Sequence, residues 1–358
     1  MEKIRMFQIG CGKMSVYTMK YALDKGIKIV GAVDINPNLY GKDISYVIGG
    51  DRREVGIAPL EKLEDYMKAT KPNIAIITTM SLLNDVKDVL RICARLGINA
   101  ITTCEEAFYA KNSNPTIWKE IDVLAKANKC TIIGCGYQDV FWGNLISVLA
   151  GTTHKIAKIK GSSSYNVEDY GIALAKAHGA GLTLEEFERE VAVSDNISEE
   201  ERNKLIELGN FAPSYMWNTI GWLADKFKLH ITSMNQKCVP QTHNEDLESS
   251  TLGMKIKAGD ATGMSAVVTA ETEEGITIEA ECIGKVYAPN EVDTNEWTII
   301  GEPETTVTIK QPSTAELTCA DVINRIPDVF NADPGFISTS ELPTPEYRLK
   351  NLNEYIKK

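Results

Sequence analysis

The sequence predicts an α/β protein: an N-terminal, doubly wound parallel sheet, followed by a second α+β domain with a mixed, largely antiparallel sheet. Three observations predict it. Short apolar runs alternate with helix-like stretches through residue 135, the pattern of strands joined by crossover helices. A glycine pair directly follows the first apolar run. After Gly136 the alternation gives way to long β-rich runs broken by turn signals.

In chain order, the expected strands of the first region are Ile4–Ile9, Ile27–Val33, Ile74–Thr78, Ile98–Thr102 and Thr131–Gly134. Between them Met14–Lys25, Leu60–Thr70, Leu83–Leu96 and Pro115–Asn128 carry apolar residues at three- and four-residue spacing, the helical period. Gly49-Gly50-Asp51 reads as a loop. Beyond Gly136, Val140–Leu149 reads as a helix and Lys155–Tyr165 alternates as a strand does. Leu184–Val191 and Glu199–Lys226 read as helices, the second broken near Pro213. From Ile231 to Ile309 come strands such as Ala266–Glu271, Ile276–Ile283 and Thr305–Ile309, with Glu273-Glu274-Gly275 as a turn. Ala315–Asn324 is again helical, and Ile326–Pro345 reads as an extended return segment. The expected domains are 1–135, 136–312 and a C-terminal helix and tail, 313–358, returning to the first.

The 358 residues, 43% hydrophobic and 24% charged, suffice for a full core without staples. A net charge of −11 argues against a nucleic-acid or anionic-membrane partner. No run approaches the ~20 apolar residues of a membrane span, and the start is too short in apolar residues for a signal peptide. Eight scattered cysteines with no Cys-x-x-Cys pair read as reduced thiols in a cytoplasmic protein, and no metal site is expected.

The first strand leads into Gly10-Cys11-Gly12-Lys13-Met14-Ser15 and then a helix. Glycines here permit a tight turn and let backbone amides approach a pyrophosphate at the helix N-terminus. Ser15, in place of a third glycine, is small enough for close helix–strand packing. The second strand ends at Asp34, 19 residues after Ser15, where an acid can accept ribose hydroxyls. The first domain therefore reads as a Rossmann-like dinucleotide-binding domain. Asp34 disfavours a 2′-phosphate, so NAD is expected, with NADP use left open by Lys42, Arg52 and Arg53. Lys13, Met14, Asn36, the strand-end residues Thr79, Met80 and Ser81, and Cys104 complete the expected cofactor contacts.

Thr102-Thr103-Cys104-Glu105-Glu106 ends the next strand. Adjacent carboxylates there point to opposite sides, so only one can face the crevice, where it suits a general base; the other reading is a pair of helix-start acids answering the macrodipole. Gly136-Tyr137-Gln138-Asp139-Val140-Phe141-Trp142-Gly143 bridges the domains, and its polar interruption suggests a pocket wall rather than plain core. Tyr165, Asn166 and Tyr170 follow, and His178 lies in an expected loop.

The Gly10–Ser15 string, the stretch Thr102–Tyr109, the Gly136–Trp142 segment, and the late Asn324-Arg325-Ile326-Pro327-Asp328-Val329 with Pro334-Gly335-Phe336 together resemble the 2,4-diaminopentanoate dehydrogenases, grouped with the native amine dehydrogenases on a fold similar to dihydrodipicolinate reductase. The resemblance covers nearly the whole chain. It implies oxidative deamination of an amine carbon to a ketone with NAD(P)⁺ as hydride acceptor: 2,4-diaminopentanoate to 2-amino-4-oxopentanoate in ornithine degradation. It implies Glu105 as the acid/base, with Glu106 as fallback, and Tyr137, Trp142, Tyr165 and Tyr170 as pocket aromatics. Gln138, Asn166 and His178 are further expected substrate contacts, and His178, Asn166 or a lysine could receive the substrate carboxylate. A homodimer through the second domain's sheet is also implied. Two relatives are set aside: no His-His pair occurs, as dihydrodipicolinate reductase requires, and Glu105-Glu106-Ala107 stands where sugar and inositol dehydrogenases carry Glu-Lys-Pro. The alternatives are a dehydrogenase or reductase of another small amine or amino acid, or a non-catalytic NAD-binding sensor.

Overall fold

The computed structural model describes residues 4–357; the first three residues, counted in the expected first domain, and Lys358 lie outside it. Two compact units result. One comprises the chain up to Asn144 and everything from Ser313 on; the other is Leu145–Pro312.

In the first unit, β1 (Arg5–Ile9), β2 (Lys28–Asp34), β3 (Ile57–Pro59), β4 (Ile74–Ile77), β5 (Asn99–Thr102) and β6 (Thr131–Gly134) lie in the spatial order β6-β5-β4-β1-β2-β3. All neighbours pair in parallel. The chain builds outward from β1 to β3, then restarts at β4 on the other side of β1. That reversal puts the topological switch point between the carboxyl ends of β1 and β4, where α/β sheets bind ligands.

Alternation along the strands feeds two apolar layers. Phe7, Ile9, Ala75 and Ile77 face the helices Leu63–Thr70, Leu83–Leu96 and Pro115–Ala127. Met6, Ile74, Ile76, Ile101 and Ile133 face the helix Lys13–Asp24 and the C-terminal helices Thr314–Asn324 and Ile326–Asn331. Leu83–Leu96 shows why these segments are helical: its buried residues Leu83, Val86, Leu90, Cys93 and Ala94 recur every three or four positions, and Gly97 ends it in the left-handed region at φ 67°.

The second unit is a sheet of β7 (Lys155–Asn166), β8 (Ile231–Thr242), β11 (Ala261–Thr272), β12 (Thr277–Lys285), β13 (Thr294–Glu302) and β14 (Thr305–Lys310), with a small pair, β9 (Leu247–Ser249) and β10 (Met254–Ile256), beside it. The order is β14-β13-β7-β12-β11-β8, antiparallel throughout except for β7 against β12. The helix Tyr215–Phe227, buried from Met216 to Ala224, packs on one face. Both sheets are of the expected kinds.

Several elements depart from expectation. β3, only Ile-Ala-Pro, is an additional strand. The tail is not merely extended: Ile326–Asn331 is helical, and Gly335–Phe336 forms β15, pairing in parallel with β6 as the outermost strand of the first sheet. The expected Val140–Leu149 helix is not uniform: Asp139–Asn144 is a π-helical turn, followed by α-helix Leu145–Ala150. The broken helix is two separate ones, Glu199–Glu207 and Tyr215–Phe227. His178 caps the helix Ile172–Ala177 instead of lying in an open loop.

Candidate active site

The glycine loop sits at the switch point. Gly10 adopts φ +84°, and a Cβ there would come 2.8 Å from the Thr78 carbonyl oxygen and the Thr79 methyl. Only glycine lets the loop after β1 pass this close to the end of β4. Among the described residues, a Cβ at Gly12 would meet nothing within 4 Å, and no side chain caps the helix that begins at Lys13. Open space thus lies over the N-terminus of a twelve-residue helix whose first amides lack a side-chain acceptor, the arrangement a pyrophosphate fits. Ser15 is buried and turns its hydroxyl back to the Gly12 carbonyl at 2.7 Å, bracing the loop from inside. Met14 is partly covered, its carbonyl accepting the Cys319 thiol at 3.3 Å, and Lys13 is exposed.

Asp34 is fixed to this loop. Its Oδ2 accepts from the Cys11 amide at 2.6 Å and its Oδ1 from the Asn36 amide at 2.7 Å. Asn36 in turn caps the short turn Pro37–Leu39, accepting from Asn38 N. A carboxylate held by two backbone amides at the end of β2 keeps lone pairs that could accept ribose hydroxyls. The intervening Cys11 is inert: burial, then the charge of Asp34, pushes its thiol up to about 12.

The carboxylate pair is resolved by its neighbours. β5 stops at Thr102, so strand alternation does not separate the two; a turn of 3₁₀-helix beginning at Glu106 does. Glu106, 2% exposed, is consumed inside the protein. Its Oε2 accepts from Leu83 N at 2.7 Å, the first amide of the helix Leu83–Leu96, and its Oε1 accepts from Ser113 Oγ at 2.8 Å. It is a helix-start acid reaching from a distance. Glu105, half-buried, is engaged by the Ser81 hydroxyl and its own backbone amide; burial raises its carboxyl above the ordinary range while these bonds pull the other way. Ser81 also accepts the Glu106 amide and the Cys104 thiol on its carbonyl, both at 3.1 Å. The β4 end that carries exposed Thr79 and Met80 therefore also sets Glu105. Cys104 is buried, its thiol raised well above normal by burial.

Tyr137, Gln138 and Trp142 belong to the first unit and gather at the π-turn. Tyr137 stacks on Phe141 with centroids 4.5 Å apart and meets Trp142 edge-on at 5.8 Å. Gln138 Nε2 and Trp142 Nε1 are buried donors with no acceptor among the described residues.

Tyr165, Asn166, Tyr170 and His178 belong to the second unit. Tyr165 Oη lies 2.7 Å from His178 Nε2, and His178 Nδ1 lies 3.0 Å from the Leu174 carbonyl. A carbonyl only accepts, so Nδ1 carries the proton and Nε2 accepts from the tyrosine. Burial lowers the pKa of this ring, reinforcing the neutral form. Both nitrogens are spent on positioning, which leaves His178 no donor for a substrate carboxylate. Gly284 makes room for the pair: a Cβ there would fall 2.5 Å from His178 Cδ2 and 2.7 Å from Tyr165 Oη. Tyr170 meets Tyr165 edge-on at 5.6 Å, and Asn166 accepts from Glu168 N to cap the turn Val167–Tyr170. Gly284 and the hold of Ser81 on Glu105 carry no sequence signal, because each acts through a partner that no spacing rule links to it.

A Rossmann-like sheet with an open glycine loop and a fixed acid, joined to a second α+β unit, defines a nicotinamide-dependent oxidoreductase, and similarity to known proteins agrees. A family model for the 2,4-diaminopentanoate dehydrogenase C-terminal domain matches residues 141–358. The solved structure of an amine dehydrogenase from Mycobacterium smegmatis is 35% identical, covers 98% of both chains and superposes with a TM-score of 0.82. A 2,4-diaminopentanoate dehydrogenase from Acetoanaerobium sticklandii is 24% identical over 99% of this chain and 98% of its own length. A probable dehydrogenase from Thermotoga maritima, 12% identical with a TM-score of 0.55 over 94% of this chain and 91% of its own, shares the fold. The chain is thus an NAD(P)-dependent dehydrogenase. It belongs to the 2,4-diaminopentanoate dehydrogenase family, together with the amine dehydrogenases. Among the described residues no helix is long and apolar enough to cross a membrane.

Proposed function

We propose that this chain oxidatively deaminates 2,4-diaminopentanoate to 2-amino-4-oxopentanoate in ornithine breakdown, releasing ammonia, with NAD⁺ as the preferred acceptor. The observation that carries this is Glu105, a carboxylate held by burial above its ordinary range at the end of β5, in a family named for that substrate. The nicotinamide supplies hydride acceptance; the protein supplies position and proton handling. An amine carbon gives up hydride only when the nitrogen lone pair is available, so Glu105 takes the ammonium proton. Once that proton has passed to solvent, the same carboxylate takes a proton from the water that adds to the iminium and returns it to the departing nitrogen, freeing ammonia. Gly10, Gly12, Lys13, Met14 and Ser15 serve the pyrophosphate, Asp34 and Asn36 the adenosine ribose, and Thr79, Met80, Ser81 and Cys104 the middle of the cofactor. Tyr137, Gln138, Trp142, Tyr165, Asn166 and Tyr170 are assigned to the substrate, with His178 fixing Tyr165.

A second reading has its own support, since the 35% identical relative is named an amine dehydrogenase, with no second functional group specified. A small monoamine is therefore the alternative substrate. Spectrophotometric reduction of NAD⁺ with 2,4-diaminopentanoate, alongside simple amines and with ammonia measured in parallel, separates the readings. One ammonia per NADH with the diamine supports the proposal. Turnover with monoamines alone moves the substrate, and cofactor binding without any turnover leaves a sensor.

Cofactor choice follows from Asp34. Its two amide bonds hold negative charge where a 2′-phosphate would lie, so Asp34→Ser shifts the ratio of kcat/KM for NADP⁺ over NAD⁺ upward by about tenfold or more. An unchanged ratio means the acid does not meet the ribose. For assembly we infer a homodimer through the second unit's sheet: along β12, Ile278, Ala280, Cys282 and Gly284 are buried while Thr277, Glu279, Glu281, Ile283 and Lys285 remain partly open on the other face. The eight free, buried cysteines fit a reducing, cytoplasmic setting.

A further inference from the structure

A cluster just beyond the carboxyl end of β6 has the donor set of a metal centre but is built otherwise. The Cys135 thiol and the Asp139 and Asp321 carboxylates are buried and lie within 4.8 Å of one another. A cation of the protein's own already serves them. Arg325, fully buried, donates from Nε to Asp139 Oδ2 at 2.8 Å. A divalent ion there would face the guanidinium charge at hydrogen-bond distance in a low-dielectric interior.

The network closes on itself. Arg325 Nη1 donates to Asp328 Oδ2 at 3.3 Å and to the Pro343 carbonyl, and Arg348 Nη2 donates to Asp328 Oδ1 at 2.8 Å. Cys135 donates to Asp321 Oδ2 at 2.9 Å. Burial, then the nearby Asp139 charge, raises Asp321 well above the carboxylate range, so it is held neutral. Arg325 and Arg348 then face the buried carboxylates of Asp139 and Asp328, and Arg348 reaches outward to Glu346 at 2.8 Å.

What this network grips is the π-turn. Asp139 is its first residue and Asn144 its last. Asn144 Nδ2 donates to Asp139 Oδ1 at 3.0 Å and to the Asp139 carbonyl at 2.9 Å, spanning the turn end to end. A π-turn is rare and persists where its surroundings hold it. This one carries Phe141 and Trp142, both packed on Tyr137, whose amide donates to Thr318 Oγ1 at 3.1 Å on the same helix that bears Asp321.

We propose that Arg325 is a positioning residue for substrate selection: acting through Asp139, it locks the π-turn and so sets the aromatic wall of Tyr137, Phe141 and Trp142 against which the amine is bound. The proposal rests on the assignment of those rings to the substrate made above. Its rival is that the pair only balances buried charge.

The double variant Arg325→Met/Asp139→Asn separates the two, because it removes both charges of the pair and leaves Asp328 the Arg348 guanidinium at 2.8 Å. The expected result is a folded protein whose KM for the amine rises by about tenfold or more while the KM for NAD⁺ stays within about twofold. The near-ultraviolet circular dichroism due to Trp142, taken as the difference from the same protein carrying Trp142→Phe, should shrink as well. A double variant with wild-type amine KM and wild-type Trp142 signal overturns the proposal, as does an equal loss of amine and NAD⁺ affinity. Should the double variant not fold, Arg325→Lys decides. It keeps the charge but not the planar, forked donor geometry, and wild-type values for both readouts would again overturn the proposal. If the wild type turns over no amine at all, the substrate reading fails, and the Trp142 signal still decides whether Arg325 holds the rings.

Discussion

Replacing Glu105 by glutamine lowers kcat for amine oxidation by about two to four decades, the scale of a lost general base, while NADH affinity stays near wild type. Glutamine keeps the volume and a donor–acceptor end for Ser81 but cannot take an ammonium proton. The pH profile supplies a second signature. Burial holds Glu105 above the ordinary carboxylate range, so the acid limb of kcat/KM lies above the ~4.3 of a free glutamate. The stability effect has the opposite sign to the activity effect. A carboxyl raised in the folded state favours the protonated form, so its contribution is full at low pH and is lost as pH rises through the folded value. At about pH 8 the wild type holds a half-buried charge that the variant lacks, so Glu105→Gln melts at a higher temperature than wild type there, and the gap closes on acidification. Unimpaired turnover would remove Glu105 from the base position; a lower melting point in that alkaline range would contradict the desolvation argument.

Glu106 behaves in the reverse manner. Glu106→Ala destabilises the protein by roughly 3–5 kcal/mol, because two charge-assisted bonds, to the Leu83 amide and the Ser113 hydroxyl, are lost in the interior. Glu106→Gln retains an acceptor and loses about half as much. Chemical denaturation reads both values, and kcat of the protein that remains folded should change far less than in Glu105→Gln. A Glu106→Ala protein of wild-type stability but without turnover would exchange the roles of the two glutamates.

Much of the nucleotide end is legible in the amino-acid order alone. Strand, glycine pair, helix, strand and Asp34 follow one another locally, and the interactions that link them span at most about two dozen positions. The carboxylate pair is harder to read. Its two members are neighbours in the chain and differ only in what reaches them: Leu83 from 23 positions away for Glu106, and Ser81 for Glu105. Arg325 lies 186 positions from Asp139, and no spacing rule joins them, although the motif containing Arg325 contributes to the family resemblance. The π-turn is invisible to periodicity because its apolar residues also satisfy a helical pattern; only the Asp139–Asn144 bracket distinguishes it. β3 and β15, three and two residues long, carry too little pattern to register.

The interruption of the first unit by the second has a consequence for biosynthesis. The apolar face formed by Met6, Ile74, Ile76, Ile101 and Ile133 is covered in part by Val322, Ile323, Ile326 and Val329, and β6 gains its outer neighbour only at Gly335. A ribosome adding about 5–20 residues per second leaves that face incomplete for roughly ten to forty seconds after Asn144 has emerged. The first unit to be translated is therefore the last to close, and the inserted unit can finish folding while its host still waits. During that interval the nascent chain presents a partly uncovered sheet face and an open strand edge, the features that chaperones bind and that aggregation exploits.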